Sequence, residues 1–72
     1  MSNPVFYYMW EDGEHGFMYR RYYNYHDNIW ERPVVYCDFH GEDDLEFLIS
    51  EIRRFYGDDV EISKVWFEKK GK

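Results

Sequence analysis

The hydrophobic positions between residues 41 and 57 recur at helical spacing. Leu45, Leu48, Ile49, Ile52, Phe55 and Tyr56 fall on one face of an α-helix. Asp43 with Glu46 three residues on has the form of a capping box, and acids in the first turn suit the positive helix end. Arg53 and Arg54 suit the negative end, and Gly57 can take the left-handed conformation that closes a helix. The spacing predicts a helix over 41–57.

Most of the remaining chain alternates as strands do. Residues 5–11 follow Pro4 and are rich in strand formers. Both alternate sets, Val5, Tyr7, Met9 and Phe6, Tyr8, Trp10, are apolar, which predicts a central strand with both faces covered or one face meant for a partner. Residues 12–16 predict a turn in which Gly13 and Gly16 supply positive φ. Residues 17–23 return as a second strand with Phe17, Tyr19, Arg21 and Tyr23 on one face. Residues 24–33 hold Asn24, Asp27, Asn28 and Pro33 and read as an irregular connection, with Trp30 packed over a core edge. Residues 34–39 make a third strand and residues 60–68 a fourth. The alternation of the fourth changes phase, predicting a bulge near Ser63 and Lys64. Residues 69–72 read as a frayed basic tail.

The predicted order is β-β-β-α-β within one domain spanning residues 1–72. The expected fold is α+β: a mainly antiparallel four-stranded sheet with one helix packed on one face. The direction of the last strand, antiparallel or a parallel crossover, stays open. One helix covers only one side of such a sheet, so the other side is expected to be open, or closed by a second copy.

Composition sharpens that expectation. The chain carries eight Tyr, six Phe and three Trp, more rings than one helix and a small sheet can hide. Net charge is −6, from 15 acids against 9 bases. That opposes binding to bare nucleic acid, where affinity comes from cations neutralising phosphates, and favours attraction to basic surfaces. Base stacking on an open aromatic sheet would need more than the Arg20-Arg21 patch, and no RNP-type pattern is present. A single cysteine, Cys37, excludes an internal disulfide. No apolar run approaches the roughly 20 residues that span a bilayer. The N-terminus lacks the basic and apolar regions of a signal peptide, so a cytoplasmic protein is expected.

Catalytic signatures are missing: no G-x-S-x-G, no glycine-rich phosphate loop, no H-E-x-x-H. Cys37 and His40 have C-x2-H spacing, with His15 and His26 as further ligand types, but no second pair completes a structural zinc site. No enzyme, cofactor or metal is expected. Candidate chemistry is therefore that of contact. Tyr8, Tyr22, Tyr23, Trp30 and the outward Phe47 are the expected anchors. Glu11, Asp12, Glu14, Asp58 and Asp59 are the expected steering charges, forming a phosphate-like row if the turn and the helix ends share one rim.

The stretches Tyr7-Tyr8-Met9-Trp10-Glu11-Asp12, Tyr22-Tyr23-Asn24-Tyr25 and Glu42-Asp43-Asp44 give the chain a distinctive character. In that character, though by no motif, it resembles phage-encoded inhibitors of bacterial defence, anti-CRISPR proteins among them. Immunity proteins against nuclease toxins and anti-restriction proteins share the style. The resemblance implies a stoichiometric blocker, acting in the bacterial host cytoplasm, that binds a basic protein surface of a nucleic-acid-binding or nuclease complex. Such inhibitors share no common fold, so no residue roles follow from it. The competing expectation is a homodimer joined through the aromatic sheet face.

Overall fold

The structure is a computed structural model that describes residues 4–65. Its elements are β1 (Val5–Trp10), β2 (His15–Arg21), β3 (Tyr23–Asn24), β4 (Ile29–Trp30), β5 (Val34–His40), α1 (Gly41–Tyr56) and β6 (Glu61–Lys64). Four strands form one sheet in the order β5-β2-β1-β6, and β3 and β4 pair separately as a small hairpin. The β1–β2 and β2–β5 pairs are antiparallel, while β6 runs parallel to β1. The fold is α+β, with β1 central as the sequence predicts. The direction of the last strand is settled by α1, which crosses two strands to place β6 at the opposite edge from β5.

The core follows from strand periodicity and the helical stripe together. Phe6, Met18 and Phe39 point from the sheet into the layer beneath α1, where Leu45 and Ile52 meet them and Val60 closes the far end. Rings interlock there edge to face or tilted, with the Phe6 ring centre 5.3 Å from those of both Tyr36 and Tyr56, and Trp10 4.9 Å from Phe39. Such tilted pairs add to simple burial because ring edges are positive and ring faces negative.

Gly16 is part of this packing. It sits inside β2, paired with Trp10 on one side and Phe39 on the other. A Cβ there would lie 2.5 Å from the Phe39 ring and 2.7 Å from the carbonyl oxygen of Met9. The missing side chain is what lets Phe39 lie across the strand towards Trp10. This corrects the expected role of Gly13 and Gly16 as positive-φ turn residues. Among the described residues that conformation belongs to Gly41, Gly57 and Asn28. Asp12 shapes the β1–β2 turn instead, accepting the backbone N–H groups of Glu14 and His15 at 2.8 Å each.

The helix starts and ends for identifiable reasons. The N–H of Gly41 donates to the carbonyl of Glu14 at 2.8 Å, tying the helix start to the β1–β2 turn. The expected box between Asp43 and Glu46 is replaced by Asp44, whose carboxylate accepts the His40 N–H at 2.8 Å. Gly57, at φ 110°, closes the helix with its N–H on the Arg53 carbonyl. Phe55 departs from prediction: at the edge of the stripe in the last turn, it is 79% exposed.

Three further expectations need correction. Residues 24–33 are not irregular throughout, because Asn28 takes φ 62° and folds β3 against β4. The second strand stops at Arg21, and Tyr23 pairs with Trp30 in the hairpin. The bulge expected at Ser63–Lys64 is not where the register shifts; the irregularity lies between Met18 and Tyr19 in the β2–β5 pair. The predicted continuation of the last strand to residue 68 and the tail at 69–72 lie outside the described residues.

Candidate functional site

The face of the sheet turned away from α1 is built by the second alternate set of each central strand. Register places Val5 beside Arg21, Tyr7 beside Tyr19 and Met9 beside Phe17. All six are half-buried; α1 lies on the other side of the sheet, and the β3–β4 hairpin reaches this face at Arg21. Tyr7, Met9, Tyr19, Arg21, Pro33 and Val65 line an open groove of about 450 Å³ on this face. The face is apolar and shallow, with hydroxyl tips at its margin.

Arg21 joins this face to the hairpin. Its Nε–H donates to the Glu31 carbonyl at 2.6 Å, and its guanidinium lies 5.7 Å from the Trp30 ring centre. A terminal nitrogen reaches the Tyr7 hydroxyl at 3.5 Å. Tyr23 then continues the surface, 5.3 Å from Trp30 and 5.0 Å from Tyr25. The Tyr23 hydroxyl donates to Asn28 at 2.8 Å, fixing its ring on the hairpin. Trp30 is 43% exposed, so it is displayed rather than packed over a core edge.

Of the anchors expected from sequence, Tyr23 and Trp30 come together on this surface. Tyr8 does not: it lies on the helix side, its ring 6.2 Å from Phe39 against the core. Tyr22 sits with Arg20, whose guanidinium lies between the Tyr22 and Tyr36 rings at 5.1 and 5.3 Å, again on the helix side. Phe47 points outward from the helix and is 65% exposed, on the opposite side of the molecule. Phe17, Tyr19, Tyr7 and Met9 carry the surface but were not among the expected anchors. The shared face of Phe17, Tyr19 and Arg21 was legible. Pairing it with Tyr7 and Met9 required the β1–β2 register.

The steering charges do not form one row. Glu11, Asp12 and Glu14 occupy the β1–β2 turn, beside Glu42, Asp43 and Asp44 at the helix start. Asp58 and Asp59 precede β6, whose Glu61 pairs with Val5 at the other end of β1. The length of the sheet separates the two groups, so the expectation of a single phosphate-like rim is not met.

The acidic end also holds a cluster that spacing alone did not assemble. His15 pairs directly with His40 across β2 and β5, and Asp38 precedes His40 by two on the same face. The two imidazole rings are 4.5 Å apart. Each nitrogen of His15 faces a carboxylate: Nδ1 lies 2.9 Å from Glu11 Oε1, and Nε2 lies 3.2 Å from Asp38 Oδ2. Asp38 and then Glu11 hold the His15 proton, raising its pKa above the ordinary 6.5. The same contact lowers Asp38, and the turn N–H groups lower Asp12. Cys37 takes no part: it pairs with buried Met18 on the helix side, and burial pushes its thiol up.

These shifts fix the sign of a pH effect. With its folded pKa raised, His15 stabilises the fold fully below the unfolded value, and that contribution fades as pH rises through the folded value. In metal-free protein, an NMR titration should place the His15 midpoint above 6.5, and Asp38→Asn should move it down. A wild-type midpoint at or below the ordinary value would contradict the paired geometry.

Comparison with protein-family models, curated proteins and solved structures gives no match. Roles for these residues therefore rest on their geometry and chemistry.

Proposed function

We propose that this protein is a non-catalytic binding module that docks on a basic protein surface through its open sheet face and aromatic hairpin. The observation that carries this reading is the continuous Phe17–Tyr19–Tyr7–Arg21–Trp30–Tyr23 surface, apolar and turned away from α1, adjoining an acidic end. Aromatic and Arg side chains of this kind supply most of the affinity in protein interfaces, while acidic margins set orientation and approach rate. The resemblance in character to phage-encoded inhibitors supports a narrower form: a stoichiometric blocker of a nucleic-acid-binding or nuclease complex, such as a CRISPR effector. Separation of the two acid groups limits any imitation of nucleic acid to the end that carries Glu11, Asp12 and Glu14. A foreign basic partner is favoured over a second copy because each copy carries −6, so self-association sets like charges against one another.

The test is affinity capture from a bacterial lysate, with cross-linking to map the contacted face. Tyr19→Asp is expected to lower capture about tenfold or more, and Phe47→Asp, on the far side, to leave it unchanged. Glu14→Lys should slow association more than it speeds release, because a rim charge acts mainly on encounter. Equal effects from Tyr19→Asp and Phe47→Asp would remove the sheet face as the docking surface. Light scattering separates the competing reading, since a tight dimer would occupy the same face.

A further inference from the structure

We infer that His15, His40 and Asp38 form a binding site for a divalent transition ion of the Zn²⁺ class at the acidic end of the open face. The argument starts from register. His15 and His40 are direct cross-strand partners, and Asp38 is diagonal to His15 on the same face. One donor atom from each of the three lies within 4.8 Å of the others. Zinc holds imidazole nitrogen and carboxylate oxygen at about 2.0–2.2 Å, which sets donors on a tetrahedral ion roughly 3.3–3.5 Å apart. The His15 Nε2 to Asp38 Oδ2 separation, 3.2 Å, is already close to that spacing. His40 is exposed, so its ring can close the remaining gap by rotation without disturbing the core.

A second observation concerns the side of His15 that faces away from the three donors. Glu11 Oε1 lies 2.9 Å from Nδ1, so with an ion in place of the proton at Nε2 the remaining Nδ1 proton would be held by Glu11. A carboxylate behind a metal-bound imidazole is the common arrangement that fixes tautomer and raises basicity. Asp12 and Glu14 share the hollow with both histidines and add negative potential for a cation. Two imidazoles make the set too soft for Mg²⁺ or Ca²⁺, which prefer all-oxygen shells. Three protein donors leave a fourth position for water. This inference does not depend on the docking proposal, since it requires no partner.

The test uses the full chain, stripped with chelator and titrated calorimetrically with ZnCl₂ in a non-coordinating buffer at neutral pH. One ion per chain is expected, with the His15 and His40 ring nitrogens shifting together in ¹⁵N spectra. His40→Ala, at an exposed position, should weaken binding about a hundredfold, and Glu11→Gln about tenfold. His26→Ala, in the hairpin beyond the far end of β2, should change nothing. Backbone amide spectra of each variant establish that it is folded. An absence of binding at 100-fold excess of ZnCl₂ over about 10 µM protein, or wild-type affinity in folded His40→Ala, would overturn the site.

Discussion

Gly16→Ala is expected to cost the protein about 3 kcal/mol, the upper range for overpacking a tight interior. The new Cβ would meet the Phe39 ring at 2.5 Å and the Met9 carbonyl oxygen at 2.7 Å. The ring could rotate away only by leaving Trp10, 4.9 Å off. The carbonyl is part of the β1–β2 pairing, so relief there separates the two central strands. A domain of this length has a total stability of about 4–11 kcal/mol, so the loss is a large share. With a urea slope of about 1 kcal/mol/M, the unfolding midpoint should fall by about 3 M. A midpoint within about 0.5 M of wild type would show that Phe39 does not need the space above Gly16. The effect bears on function because His15 and His40 flank this contact, and both surfaces described above depend on β2 staying flat against β1 and β5.

Phe6→Ala should be at least as damaging, at about 3–5 kcal/mol. Phe6 is fully buried and touches Tyr36 of β5 and Tyr56 at the helix end, each at 5.3 Å. Truncation removes the wedge between the sheet centre and the last helical turn and leaves a void that rigid rings fill poorly. Phe6→Leu keeps most of the volume and should cost about 1–1.5 kcal/mol, as a swap that nearly conserves volume does. Comparison of the two by thermal unfolding separates lost volume from lost ring geometry. Equal destabilisation by Leu and Ala would mean that edge-to-face ring contacts, not filled space, hold this position.

Both expectations come from the same feature of the molecule. A thin core made of a few large rings has little capacity to redistribute a change. The open face is different: Tyr19, Phe17 and Met9 lie away from the helix, so polar substitution there should affect capture far more than folding. That contrast makes the binding variants interpretable.

Local rules read from the sequence identified the helix, its closing glycine, the four strands of the main sheet to within a few residues and the existence of an uncovered aromatic face. Each depends on periodicity or on the chemistry of neighbouring residues, which a linear chain displays directly. Phe47 could be placed outward because its angle on the helix is set by its neighbours. Phe55 could not be placed, because at the edge of the helical stripe its exposure depends on what packs beside the last turn.

Tertiary structure decided what pairing decides. The choice between the two apolar sets of β1, the removal of Tyr8 to the core side and the addition of Tyr7 and Met9 to the exposed one all follow from strand register. The same register put Asp58 and Asp59 at the far end from Glu11, Asp12 and Glu14. It also brought His15 to His40, 25 positions apart, while turning Cys37 the other way. Sequence spacing measures distance along one strand, whereas these neighbours lie across strands, where a shift of one residue exchanges the two faces.

The proposed binding role stands or falls on one placement: β1 and β2 presenting their second set of side chains to solvent while α1 occupies the first.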